Sequence, residues 1–181
     1  MIRLDNITLI GMPGSGKSTV GVLLAKKLGL QFVDTDLLIQ EQEGCLLKDI
    51  IAREGAEGFE RIENQVNAQV QARYTVIAPG GSVVYCPEAM HHFKEISLVV
   101  YLRIGLGSLK ARLGDLEARG VVLKNGMTLD ELYAERVPLY ERYADLAVDV
   151  DELSLGQVLE QFEKLEEVRK ISKHSKERET K

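Results

Sequence analysis

Apolar positions along the chain fall into two rhythms. Short, dense apolar runs predict strands at Leu4–Ile10, Gln31–Val33, Thr75–Ala78, Ser97–Leu102 and Leu146–Val150. Between them, apolar residues recur every three or four positions, which predicts helices. Val20, Leu23, Leu24 and Leu28 mark one over Lys17–Leu28, closed by Gly29. Others are expected over Leu37–Glu43, Leu46–Glu54 and Glu57–Arg73, where Phe59, Ile62, Val66 and Val70 form one stripe. Further helices are predicted at Ser108–Leu113, Thr128–Tyr143 and Leu155–Arg169, with Pro138 expected to end or kink the second. Strand and helix alternate throughout, so the fold class is α/β with a mostly parallel sheet. Residues 1–169 read as one domain. Gly114–Asn125 has weak periodicity and reads as a mobile loop, and the polar stretch 170–181 reads as a frayed tail.

Charge and cysteine content remove several classes of function. Acidic residues number 28 and basic residues 23, a net charge of −5, so nucleic acid and anionic membranes are not expected partners. Cys45 and Cys86 lie far apart, which excludes a disulfide scaffold or a cysteine zinc site and fits a reducing cytoplasm. No apolar run approaches the length of a membrane span, and the apolar centre of the first residues is too short for a signal peptide. A monomer is expected.

The first strand runs into Gly11-Met-Pro-Gly14-Ser15-Gly16-Lys17-Ser18-Thr19, which matches G-x-x-x-x-G-K-[ST]. Glycines let the backbone curl tightly and approach phosphate oxygens. Successive N–H groups then form an anion nest at a helix N-terminus. Lys17 would reach the β and γ phosphates, and the Ser18 hydroxyl would ligate Mg²⁺. The Asp-x-x-Gly and Asn-Lys-x-Asp motifs of GTPases do not occur. A small kinase using ATP and Mg²⁺ remains. A nucleotide acceptor would need several cations, and the stretch from Leu37 to Val70 offers only Lys48, Arg53 and Arg61.

With Asp34-Thr-Asp36, Phe59-x-x-Ile62-Glu63, Gly80-Gly81, Arg119 and Arg136-Val-Pro-Leu-Tyr140 following in order, the chain resembles the shikimate kinase family over about residues 5–160. The resemblance implies a P-loop core like that of nucleoside monophosphate kinases. It has a five-stranded parallel sheet, helices on both faces and a mobile lid, here about 114–125. It also implies roles. Asp36 contacts the acceptor hydroxyl as candidate base, and Asp34 supports Mg²⁺. Arg119 swings with the lid onto the transferring phosphate, Arg112 stacks on adenine, and the Asp151–Gly156 turn touches the base. Gly80, Gly81 and Arg136 bind the acceptor, the arginine gripping its carboxylate, a task suited to a forked guanidinium.

The chain departs from the family at two places. Glu60 stands where the family has a second carboxylate-binding arginine, and the family's three glycines read Pro79-Gly80-Gly81. Arg61 is one position on, about 100° around the helix, so it is no simple substitute. A cavity with Arg136 at one end and Glu60 at the other would suit a zwitterion with a hydroxyl. A hydroxy amino acid such as homoserine, serine or threonine is therefore the expected acceptor. The alternative is shikimate itself, with Glu60 facing solvent. A rival from another class is a nucleotide-binding module without catalysis.

Overall fold

The computed structural model describes residues 4–113 and 126–179. Strand β1 (Asn6–Ile10) is the centre of a five-stranded sheet in which β2 (Gln31–Asp34), β3 (Thr75–Ala78), β4 (Ser97–Arg103) and β5 (Leu146–Asp149) join it in the order β2-β3-β1-β4-β5. Every pairing is parallel. Ile7, Leu9 and Ile10 are fully buried, as are Val99, Val100 and Leu102 on the neighbouring strand. Covering both faces of a parallel sheet requires strands of this near-continuous apolar character.

The helices are α1 (Lys17–Leu28), α2 (Thr35–Glu43), α3 (Leu47–Ala68), α4 (Pro87–Ile96), α5 (Leu106–Leu113), α6 (Leu129–Tyr143), α7 (Leu155–Lys164) and α8 (Glu166–Glu179). The two helices expected on either side of residues 55 and 56 run together as α3. Gly55, at φ 70° and ψ 179°, puts a kink between them. The same helix ends at Ala68, short of the predicted Arg73, where the Gln69 and Val70 amides turn back onto the Val66 and Asn67 carbonyls. Pro138 does not stop α6: both it and Ala134, whose carbonyl loses its amide partner, are exposed to water. The polar stretch expected to fray from residue 170 instead continues α8. Val168 and Ile171 are buried there, and the Ser172 and Ser175 hydroxyls donate to the Leu28 and Gly29 carbonyls at the end of α1.

Asn6 fastens the edge of the sheet opposite the P-loop. Its Nδ2 donates to the Ala72 and Ile96 carbonyls at 3.0 and 2.9 Å, and its Oδ1 accepts from the Thr75 amide at 3.1 Å. One buried side chain thus satisfies three backbone groups at the entries to β3 and β4. Parallel strands then carry all their C-terminal ends to the opposite edge, where ligands of open α/β sheets bind. Asn6→Ala leaves those groups unpaired and is expected to cost about 3 kcal/mol in urea unfolding. A loss below about 0.5 kcal/mol, the scale of an ordinary surface change, would contradict this bracing role.

Candidate active site

The turn between β1 and α1 wraps a cavity of about 440 Å³. Gly16 caps α1 at φ 98°, a backbone conformation that glycine adopts without strain. Lys17 is buried and folds back, its ammonium donating to the Gly11 and Met12 carbonyls at 2.9 and 3.1 Å. Burial pulls its pKa down to about 8, against the opposing attraction of Asp36. Gly14, Gly16, Lys17, Ser18 and Thr19 line the cavity. Gly11 is buried beneath Lys17, and Ser15 faces a different cavity, described below.

Strand β2 ends on Asp34, which caps α2 by accepting from the Asp36 amide at 3.0 Å. Its other oxygen accepts from the Ser18 hydroxyl at 2.8 Å. Asp34 is therefore an N-cap and a cavity carboxylate at once, and Asp36 lines the same space from the first turn of α2. Burial, reinforced by Asp34 and opposed by Lys17, raises the Asp36 pKa to about 6. Ser18 and Asp34 are an oxygen-only pair beside the phosphate cradle. They fit Mg²⁺, a hard cation that takes oxygen ligands.

The third wall is the turn after β3. Gly80 is there because a Cβ would sit 2.7 Å from Glu63 Oε1 and 3.0 Å from Asp36 Oδ1. Gly80 and Gly81 both line the cavity, with Ser82 beside them. Glu63 is the residue that sequence reasoning left without a role. It is fully buried; its Oε2 accepts from the Ser82 hydroxyl at 2.6 Å, and its Oε1 has no hydrogen-bond partner among the described residues. Burial lifts its pKa to about 7, with the Ser82 bond acting the other way. The signal was present: Glu63 lies four residues after Phe59 and three before Val66, a charge on a stripe otherwise buried.

Helix α6 closes the cavity with Arg136, which is 3% exposed; one turn on, Tyr140 donates to the Gly81 carbonyl at 2.6 Å. Tyr140 also stacks on Tyr101, with ring centroids 5.2 Å apart. Arg136 lines the same space as Lys17 and Asp36.

Glu60 does not. It lies with Glu57, Arg61, Asn64 and Tyr85 around an outer cavity of about 280 Å³. Glu60 and Arg136, expected at two ends of a single pocket, line two adjoining cavities, and Tyr85 of the outer one reaches Arg136. Phe59 and Glu63 point inward from one face of α3, and Glu60, about 100° around the helix from Phe59 and about 60° from Glu63, lies at the border of that face. Arg112 lines a cavity of about 200 Å³ on the other side of the P-loop, with Ser15, Gly16 and Thr19. Its guanidinium donates to the Val150 carbonyl at 2.8 Å. Leu153 and Leu155, from the turn expected to touch adenine, supply part of the apolar wall. Arg119 and the candidate lid at 114–125 lie outside the described residues.

The shikimate kinase family model matches residues 13–166. Among curated relatives, a shikimate kinase of Moorella thermoacetica is 39% identical over 148 residues, 81% of this chain and 85% of that protein. One from Synechococcus sp. is 41% identical over 153 residues, 82% of this chain and 79% of the relative. The solved structure of the shikimate kinase from Acinetobacter baumannii in complex with shikimate superposes with a TM-score of 0.78 at 27% identity, covering 88% of this chain and 91% of that one. The match runs from the phosphate cradle through the arginine-bearing helix, and the chain belongs to the shikimate kinase family.

Proposed function

We propose that this protein transfers the γ-phosphoryl group of ATP to a hydroxyl of shikimate. Membership of the family makes it an ATP-dependent phosphotransferase acting on an alcohol. The choice of shikimate over an amino acid rests on one observation above the others: Arg136 shares a cavity with Asp36 and the P-loop, while Glu60 is outside it. The homoserine reading needs Glu60 inside, and Glu60 lines the outer cavity. The relatives named as shikimate kinases point the same way.

The division of labour follows the walls. The P-loop amides and Lys17 hold the transferring phosphates, and Lys17 exchanges its carbonyl partners for phosphate oxygens. The cavity behind Ser15 and Gly16 takes the base against Arg112. Ser18 and Asp34 would hold Mg²⁺, whose charge would offset that of the phosphates. Arg136 grips the acceptor carboxylate. Asp36 accepts a hydrogen bond from the acceptor hydroxyl and takes its proton as the oxygen attacks phosphorus. The Gly80–Gly81 backbone faces the acceptor ring, with Glu63 buried behind it. By family resemblance, Arg119 neutralises charge on the transferring group. Positioning and charge neutralisation supply most of the rate in such reactions.

Coupled ADP release should be fast with shikimate and at background with homoserine, serine or threonine. Faster turnover of an amino acid, or no turnover of any acceptor, would overturn the assignment. Arg136→Lys should raise the acceptor KM by about 30-fold or more, the cost of breaking a desolvated charge pair, and leave the KM for ATP little changed.

Asp36 sets a pH dependence of both rate and stability. Only its ionised form accepts a proton, so kcat should fall as pH drops through about 6. Its ordinary value is 3.8, so between there and about 6 the folded protein keeps a proton that the unfolded chain sheds. Stability therefore declines as pH rises through that window. Asp36→Asn should abolish turnover and raise the thermal midpoint at pH 8. A variant that loses activity with a lowered midpoint would contradict the assigned burial cost.

A further inference from the structure

One guanidinium here has the task for which the family resemblance supplies two. Arg136 is buried, and the position of the second arm is Glu60, which faces the outer cavity. An isolated arginine side chain has several rotatable bonds, and its fork is selective only when its orientation is fixed. Tyr85 fixes it. The Arg136 Nε–H donates to the Tyr85 hydroxyl at 3.3 Å, and the guanidinium carbon lies 5.2 Å from the Tyr85 ring centroid. The Tyr85 hydroxyl in turn donates to the carboxylate of Glu135, the residue before Arg136 on α6. A phenol hydrogen-bonded to a carboxylate is a better acceptor, so the two bonds reinforce one another.

The placement of Tyr85 adds a second link. It is the last residue of the 3₁₀ turn Gly81–Tyr85, whose first residue is held by Tyr140 of the same helix. Helix α6 is thus tied to both ends of the turn that forms one wall of the acceptor cavity. Tyr85 also lines the outer cavity beside Glu60. It stands between the missing arm and the remaining one.

We propose that Tyr85 is a positioning residue for acceptor recognition, compensating for the lost arginine at position 60. With Nε bound to Tyr85, the two Nη groups are the edge offered to the acceptor carboxylate. The inference rests on the reading that Arg136 binds that carboxylate, and the test separates the two.

Steady-state kinetics of Tyr85→Phe, Arg136→Lys and the double variant form the experiment, with acceptor and ATP varied independently. Tyr85→Phe keeps the ring and loses the hydroxyl. Its acceptor KM should rise about fivefold to tenfold, with kcat and the KM for ATP within about twofold of the parent. In the Arg136→Lys background the same change should have little further effect, because the partner it orients is gone. An unchanged acceptor KM in Tyr85→Phe, with a raised one in Arg136→Lys, would overturn the role of Tyr85 and leave Arg136 standing. An unchanged acceptor KM in Arg136→Lys would overturn both. A Tyr85→Phe enzyme in which kcat and both KM values worsen together would mark a merely structural residue. Glu135→Gln, an exposed change, gives an independent reading if Tyr85→Phe does not fold. It should raise the acceptor KM about twofold to threefold, and no rise would overturn the relay.

Discussion

A lysine ammonium taken out of water needs a substitute for its hydration, and the active-site half of this fold is arranged around supplying one. Lys17 is buried at the base of the cavity and held by two backbone carbonyls of its own loop. Those carbonyls lie where they do because β1 runs parallel and buried into a glycine-rich turn. Asp36 reaches toward Lys17 from α2, Glu63 stands behind Gly80 from α3, and Arg136 closes the set from α6. All three act on the Lys17 ammonium, the two carboxyl groups favouring its charged form and Arg136 opposing it, so four elements distant in sequence are coupled electrostatically around one cavity. A cavity lined this way remains polar and holds an anion beside a carboxylate, which an apolar pocket of equal size could not do.

That arrangement has a cost in the resting protein. Asp36 and Glu63 both sit in surroundings that disfavour their ionised forms, and one Glu63 oxygen has no partner among the described residues. A sequence selected only for stability would fill these positions with neutral groups. Their retention in a buried site beside the P-loop is what a site built for charge chemistry looks like.

Much of the fold was legible in the sequence because its signals are local. Apolar runs such as Ser97–Leu102 can be accommodated only as buried strands, and the glycine-lysine-serine turn identifies its own chemistry. The Asp34–Asp36 pair was legible for the same reason, since a strand end and a helix start fix both side chains over three residues. Glu60 drew its role from the resemblance alone: the apolar stripe Phe59, Ile62 and Val66 gives the phase of α3, but not which of two cavities a side chain at the border of that stripe lines. Glu63 and Tyr85 acquire meaning only when the turn after β3 and helix α6 come together, a contact between segments some fifty residues apart. The order of α8 was invisible because hydroxyls from a polar stretch found the unpaired end of α1.

The account stands or falls on where the acceptor's carboxylate goes. A crystal structure with ADP, Mg²⁺ and shikimate would show it directly. The account predicts that carboxylate on the Arg136 Nη groups and a ring hydroxyl on Asp36, with Glu60 untouched. A carboxylate bound at Arg61 in the outer cavity, or an acceptor that leaves Arg136 on Tyr85 with nothing else in reach, would contradict it.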